Sequence, residues 1–137
     1  MSATTDFNKA IIEEFRANAG KVSGQFASVP MLLLHTVGAK SGEPRINPLA
    51  YIADGERLVI VASYAGGPNN PPWYYNLLAN PEVGVEVGDE EFQATAAVAE
   101  DPERAALYEK VAAALPAFTE YQNKTTRVIP VITLSRI

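Results

Sequence analysis

Lys40, Ser41 and Arg45 crowd a turn that Gly42 and Pro44 force to bend. Consecutive backbone N–H groups in such turns can converge on an anion. Lys40 adds a point charge, and Arg45 can grip two phosphate oxygens at once. The bland alternative is a solvated bend. An anion site is favoured by position, because the turn lies just ahead of Asn47-Pro48 at the mouth of a strand. Downstream, the 24 residues from Leu58 to Pro81 contain no charged side chain and hold the only Trp and three of the six Tyr. Trp73 and Tyr74 either stack on a ring system or fill the core. Ser63 and Tyr64 end a strand where it meets Gly66-Gly67, and a hydroxyl there either donates to a ring carbonyl or serves the turn. An apolar slot beside a cationic cradle suits a planar, phosphorylated cofactor.

Other reactive residues are few. Phe118 and Tyr121, three apart, project from one side of a helical turn. Tyr121 is a candidate proton donor or a core residue. Lys124 and Arg127 are surface charges or partners for an acidic ligand tail. His35 sits in an apolar strand without a Ser partner in its sequence context, so it reads as structural. A phosphate-binding Walker loop, a GxGxxG fingerprint and a nucleophile elbow are all missing. One His and no Cys exclude thiol chemistry and disulfides and make a metal site improbable.

The elements that must carry these residues follow from periodicity. Asp6 caps a first helix reaching about Ala19, with Phe7, Ile11 and Phe15 on one face. That helix either packs on the core, covers a pocket mouth as a lid (residues 1–24) or touches a membrane. Met31 to Val37 reads as a strand ending at Gly38, Arg45 to Ile52 as a second, and Asp54-Gly55 as a hairpin into Arg57 to Tyr64. A short helix begins near Trp73 and ends before Pro81. Val83, Val85 and Val87 alternate as a half-exposed strand, and Phe92 to Val98 pairs back across Gly88-Asp89. Asp101-Pro102-Glu103 opens a helix with Ala105, Leu107, Val111 and Leu115 on its buried stripe. Phe118 to Lys124 is a further short helix. Arg127 to Leu134 is a last strand, with Pro130 marking an edge or a bulge. About six mostly hairpin-connected strands and three or four helices predict an α+β antiparallel barrel or curled sheet.

At 137 residues the chain is expected to be one domain with a core of its own. A net charge of −5 argues against non-specific nucleic-acid binding. Half of the acids, eight of sixteen, fall between Glu82 and Glu103, whereas Lys40, Glu43 and Arg45 are the only charges between Met31 and Ala53. An acidic chain thus keeps one segment open to anions. The N-terminus shows no signal peptide, and no apolar run approaches the roughly 20 residues that span a bilayer. A cytoplasmic protein is expected, with peripheral membrane contact through the first helix as the variant.

Three segments together resemble the coenzyme F420 (deazaflavin)-dependent nitroreductase and quinone reductase family of actinobacteria. Lys40 to Pro48 is similar to its K-[ST]-G-x-P-R-x-[NT]-P segment. Ser63 to Gly67, Asn70 to Leu77 and Ala79-Asn80-Pro81 resemble its S-x-x-G-x…P-x-W-x-x-N-L-x-A-N-P signature. Phe118, Tyr121 and the run Arg127 to Val131 resemble its Y-x-x-Y…R-x-I-P-V tail. The resemblance implies a split β-barrel of the pyridoxamine-oxidase type that holds F420 where relatives hold FMN. By that analogy Ala39, Lys40, Ser41 and Arg45 hold the phosphate. Ile46, Asn47, Pro48, Leu49 and Ala50 run beside the ribityl chain and ring. Val61, Ala62, Ser63 and Tyr64 meet the ring edge, Pro72, Trp73, Tyr74, Tyr75 and Asn76 form the next wall, and Phe118 closes the far side.

The implied activity is hydride transfer from reduced F420 to a small quinone, enone or nitroaromatic, with Ser63 or Tyr121 supplying or orienting a proton. The cofactor carries the hydride chemistry and the protein orients it, which fits a chain lacking an acid/base dyad. Leu115 and Phe118 stand where nitroimidazole-reducing members carry Tyr, which favours another acceptor. Tyr64 stands where a basic residue is often seen. Two other readings stay open. One is an FMN-dependent reductase in the same barrel; the other is a non-catalytic module that holds F420, a fatty acid or haem. The chain is expected to act as a monomer or homodimer.

Overall fold

Short β-branched runs punctuated by Gly and Pro fold into one antiparallel sheet. The computed structural model describes residues 6–17, 30–63, 70–88, 90–125 and 128–137. Its strands are β1 (Met31–Val37), β2 (Pro44–Ala50), β3 (Ile52–Asp54), β4 (Arg57–Val61), β5 (Glu82–Val87), β6 (Glu90–Val98) and β7 (Val131–Arg136). The helices are α1 (Asp6–Ala17), α2 (Pro72–Ala79), α3 (Glu103–Ala114) and α4 (Ala117–Asn123). The strand order is β2-β1-β5-β6-β7-β4-β3, and each pairing is antiparallel. The two-residue hairpins after β3 and β5 rely on Gly55 (φ +61°) and Gly88 (φ +59°), the left-handed conformation glycine tolerates best.

Sequence periodicity predicts about six strands; the described residues form seven. The run from Arg45 to Ile52 breaks at Tyr51, whose N–H turns to the Pro30 carbonyl at 3.1 Å. This break matters for closure. β2 and β3 are the two edges of the sheet, yet only Tyr51 separates them in the chain. The sheet therefore curls until its edges meet at that corner, giving a barrel left split along the remaining edge of β2. Pro44 and Pro48 remove two donors from that edge strand, which discourages pairing with another chain.

The curl creates an inside and an outside. Leu32, Leu34, Ile60, Ala62, Val83, Val85, Ala94, Ala96, Ile132 and Leu134 point inward and pack with Trp73 and Leu77 of α2. Each buried Val, Leu or Ile among them stabilises the fold by roughly 1.5–3 kcal/mol. On the outside, Val59, Val61, Ile129 and Val131 pack against Leu107, Tyr108 and Val111 of α3, with Phe118 and Tyr121 of α4 half-buried beside them. A third cluster joins Ile12 and Phe15 of α1 to Met31 and Leu33 of β1, flanked by Ile46 and Ala50.

Several expectations shift. Ile12 and not Ile11 joins Phe15 on the buried face of α1, because the helix lies flat on two strands. In α3 the buried stripe is Leu107, Tyr108 and Val111, while Ala105 is exposed. Its first turn is capped by Asp101, whose carboxylate accepts the Ala105 N–H at 3.2 Å. Pro130 marks neither edge nor bulge. It precedes β7, which lies between β6 and β4, and its carbonyl accepts the Ala62 N–H at 2.9 Å. Tyr64, Gly66-Gly67 and Arg127 fall outside the described residues.

Candidate functional site

β1, β6 and β4 run the same way and end at one mouth of the barrel. The connection from β1 to β2 lies there, as do Ala62 and Ser63 after β4. The turn is a closed loop: Gly38 N–H donates to the Glu43 carbonyl at 2.8 Å, and Gly42 N–H to the Gly38 carbonyl at 3.0 Å. Gly42, at φ +70°, makes the return possible. Ser41 folds its hydroxyl inward, where Oγ accepts from Glu43 N–H at 3.2 Å and from Arg45 Nη2 at 3.3 Å. Ala39 N–H is donated to the Asn76 side-chain oxygen at 3.0 Å. Within 39–43 this leaves the Lys40 and Ser41 N–H groups without a hydrogen-bond partner among the described residues. Two successive spare amides, an exposed lysine and Arg45 form a small anion nest.

Arg45 is not wholly idle. Its Nη1 donates to the Glu43 carboxylate at 3.2 Å, so an incoming anion competes with a neighbouring acid. Pairing in register sorts the rest of β2. Arg45, Asn47 and Leu49 lie opposite Thr36, Leu34 and Leu32, on the inward face. Ile46, Pro48 and Ala50 lie opposite His35, Leu33 and Met31, on the face that carries α1. Of the five β2 residues named from the resemblance, only Asn47 and Leu49 direct side chains to the same side as Arg45. Helix α1 therefore lies on the far face of β1 and β2 from Arg45, and the rest of the expected lid, residues 1–5 and 18–24, lies outside the described residues. Its apolar residues Ile12 and Phe15 are buried against the sheet, which leaves neither of them for a membrane.

Helix α2 carries no charge and is entered through Pro71 and Pro72. Trp73 is only 5% exposed and belongs to the inner cluster, so it fills the core. Tyr74 is half-buried on the same cluster, and Tyr75 meets it edge-on at 5.4 Å while remaining half exposed. Pro72 is exposed. Asn76 points inward, and its amide nitrogen donates to Thr36 Oγ1 at 3.2 Å. Ala62, at the end of β4, joins α2 in the inner cluster, and the buried Ser63 follows it.

The structure separates the remaining candidates. Phe118 and Tyr121 pack edge-to-face at 5.2 Å on the outer cluster, across β4 from Ala62 and α2. The hydroxyl of Tyr108 ties that helix down by donating to the Phe118 carbonyl. His35, expected to be structural, is bonded to Glu86 on the outer face, where Arg16 also donates to Glu86 at 2.8 and 3.1 Å. The Arg16 guanidinium, aided by His35, holds the Glu86 carboxyl below the usual range against the opposing effect of burial. Sequence reasoning did not single out Thr36. The inward phase of Leu32, Leu34 and Thr36 was the available signal, since a polar residue in that phase needs a partner.

A groove of about 700 Å³ opens at the other end of the barrel, lined in part by Leu58, Phe92 and Leu134. It contains none of the candidate site residues named from sequence. Both of its lining arginines are engaged: Arg136 pairs with Glu90 at 2.9 Å and covers the Phe92 ring at 4.0 Å, and Arg57 pairs with Asp54 at 2.6 Å and Glu103 at 3.4 Å. The mouth beside the 38–45 turn is thus the better anion site.

The chain is thus a split antiparallel barrel with an anion nest at one mouth. Residues 8–136 match the F420H(2)-dependent quinone reductase family. An F420H(2)-dependent quinone reductase of Mycobacterium tuberculosis is 41% identical over 126 residues, covering 89% of this chain and 85% of the relative. A solved F420-H2 dependent reductase (FDR-A) superposes with TM-score 0.72 at 40% identity, over 77% of this chain and 94% of the other. A structure described as a domain-swapped dimer gives TM-score 0.74 at 36% identity, over 93% of both chains. A pyridoxamine 5'-phosphate oxidase-type protein of Listeria innocua shares the fold alone, with TM-score 0.57 at 15% identity over 96% of this chain and 94% of the other. The chain belongs to the F420H(2)-dependent quinone reductase family and is an F420-dependent reductase.

Proposed function

We propose that the protein binds F420 at the barrel mouth and reduces a small quinone, with enones and nitroaromatics as secondary acceptors. One observation carries the reading. The turn at 38–45 gathers Arg45, Lys40 and two N–H groups with no partner among the described residues, and Asn76 fastens it to an uncharged helix, which supports a single anion bound there. These residues fit a phosphorylated, planar cofactor: Lys40, Ser41 and Arg45 hold the phosphate, and Asn47 and Leu49 line the approach to the ring.

Reduced F420, when bound, supplies a hydride. The chain supplies orientation and a dry wall. Tyr74, Ala62 and Leu49 exclude water from the inner side. A quinone that accepts a hydride needs one further proton to become a hydroquinone. Ser63, buried at the end of β4, is the hydroxyl we assign to orienting that proton. Tyr121 is not assigned this task, because it packs on the outer face of β4. All the residues in this reading come from one chain, so a monomer suffices for it.

The test is calorimetric titration with F420 beside FMN, followed by loss of reduced-F420 absorbance on adding a short-tailed quinone, an enone or a nitroaromatic. Micromolar F420 binding with the fastest turnover on the quinone is expected. Equal or tighter FMN binding overturns the cofactor assignment, and binding without turnover on any acceptor overturns the enzymatic one.

A further inference from the structure

We propose that Asn76 is a positioning residue, and that together with Thr36 it aims the anion nest without touching the ligand. The inference rests on the nest as the phosphate site. Asn76 is 8% exposed and sits on the inner face of α2 with Trp73 and Leu77. Both ends of its side-chain amide are engaged by the β1–β2 connection. The oxygen accepts Ala39 N–H at 3.0 Å, and the nitrogen donates to Thr36 Oγ1 at 3.2 Å. Those partners lie on either side of Val37-Gly38, so one amide holds the end of the strand and the first residue of the turn in a fixed relation to the helix.

The consequence falls on the next two residues. With Ala39 N–H turned inward to Asn76, the chain must leave Ala39 in one direction, and that direction places the N–H groups of Lys40 and Ser41. Thr36 is 4% exposed, faces the interior opposite Arg45, and its hydroxyl accepts from Asn76, so its polar tie to the turn runs through that amide. Two of the amide's four hydrogen-bonding positions are taken by the β1–β2 connection, one on each end, and the side chain is buried. Leu77 and Trp73 seat the helix; Asn76 gives that seat a polar grip on the turn.

The experiment measures F420 affinity by calorimetry and hydrogen exchange at Ala39, Lys40 and Ser41 in ligand-free protein, for Asn76→Ala, Thr36→Val, Thr36→Ser and Arg45→Ala. Asn76→Ala is expected to weaken binding about tenfold or more, with faster exchange at Ala39. Thr36→Val should move both readouts the same way by a smaller factor, and Thr36→Ser, which keeps the acceptor, should restore them. The effects of Asn76→Ala and Arg45→Ala should be less than additive, because both act on one nest. Wild-type affinity in both Asn76→Ala and Thr36→Val, with Arg45→Ala weakened, overturns the inference and leaves the phosphate site standing. Weakened Asn76→Ala beside an unaffected Thr36→Val makes Asn76 a direct ligand and also overturns it. A silent Arg45→Ala removes the phosphate site, and the inference with it. If Asn76→Ala does not fold, the two Thr36 variants decide.

Discussion

Replacing Arg45 by Ala removes the only guanidinium of the turn, and its effect can be worked out from the contacts. The side chain is 22% exposed and donates to Glu43, the Pro44 carbonyl and Ser41 at 3.2–3.3 Å. These are long contacts near solvent, and ion pairs of this type contribute ~0–1 kcal/mol. The melting temperature should therefore barely move. A phosphate is a different partner, because hydrogen bonds to charged groups contribute ~1.5–3 kcal/mol. At ~1.4 kcal/mol per factor of ten, Kd for F420 should rise roughly 10- to 140-fold. Arg45→Lys keeps the charge and loses the fork, so it should recover part of the affinity. Glu43→Gln should act in the opposite direction and tighten binding by up to about fivefold, the equivalent of ~1 kcal/mol, because the competing carboxylate is gone. Calorimetry at low and high salt, beside thermal melts, measures all four proteins. The reasoning is refuted if Arg45→Ala binds F420 within about twofold of wild type, or if its lost affinity follows a lost fold.

Other expectations follow from single contacts. Trp73→Ala should lower unfolding free energy by ~3–5 kcal/mol in denaturant titration, as for a core aromatic, while Trp73→Phe leaves F420 affinity unchanged; a stacking role would reverse that pattern. A Cβ at Gly38 would lie 2.4 Å from Ser41 Oγ. Gly38→Ala should therefore swing that hydroxyl away from Glu43 N–H and Arg45, weakening F420 binding with little change in melting temperature. Glu86 titrates below its ordinary value in the folded state, so the stability it contributes is complete above the unfolded carboxylate pKa of about 4.3 and is lost as pH falls through the lower folded value. Glu86→Gln should flatten that acid limb in melts recorded from neutral pH downward, and an unchanged slope would detach α1 docking from this cluster. Tyr121→Phe should leave quinone turnover within about twofold, since its ring lies on the outer face of β4; a tenfold loss of kcat would return it to the chemistry.

Much of this architecture is legible in the chain because it depends on neighbours in sequence. Glycine positions, alternating valines and the prolines around α2 specify hairpins and a short helix through local geometry, and the ordered segments Lys40–Pro48 and Asn70–Pro81 point to the F420 family. What local pattern cannot supply is the face each residue ends on. Strand alternation says that Arg45 and Ile46 point in opposite directions; only the curled sheet, closed at Tyr51, says which direction is inward. The same closure places Trp73 in the core and Tyr121 outside β4, two residues whose composition suits either role.

Pairings across the chain are the other part that sequence leaves open. Asn76 with Thr36, and Arg16 with Glu86, are forty and seventy residues apart, and each partner alone looks like an ordinary polar side chain. Their meaning arises when burial removes water and obliges them to find each other. The amino-acid sequence by itself determined the strands, the cationic turn and the cofactor class. The tertiary structure decided which side chains share the barrel mouth, because that depends on how far an antiparallel sheet must curl before its two edges meet.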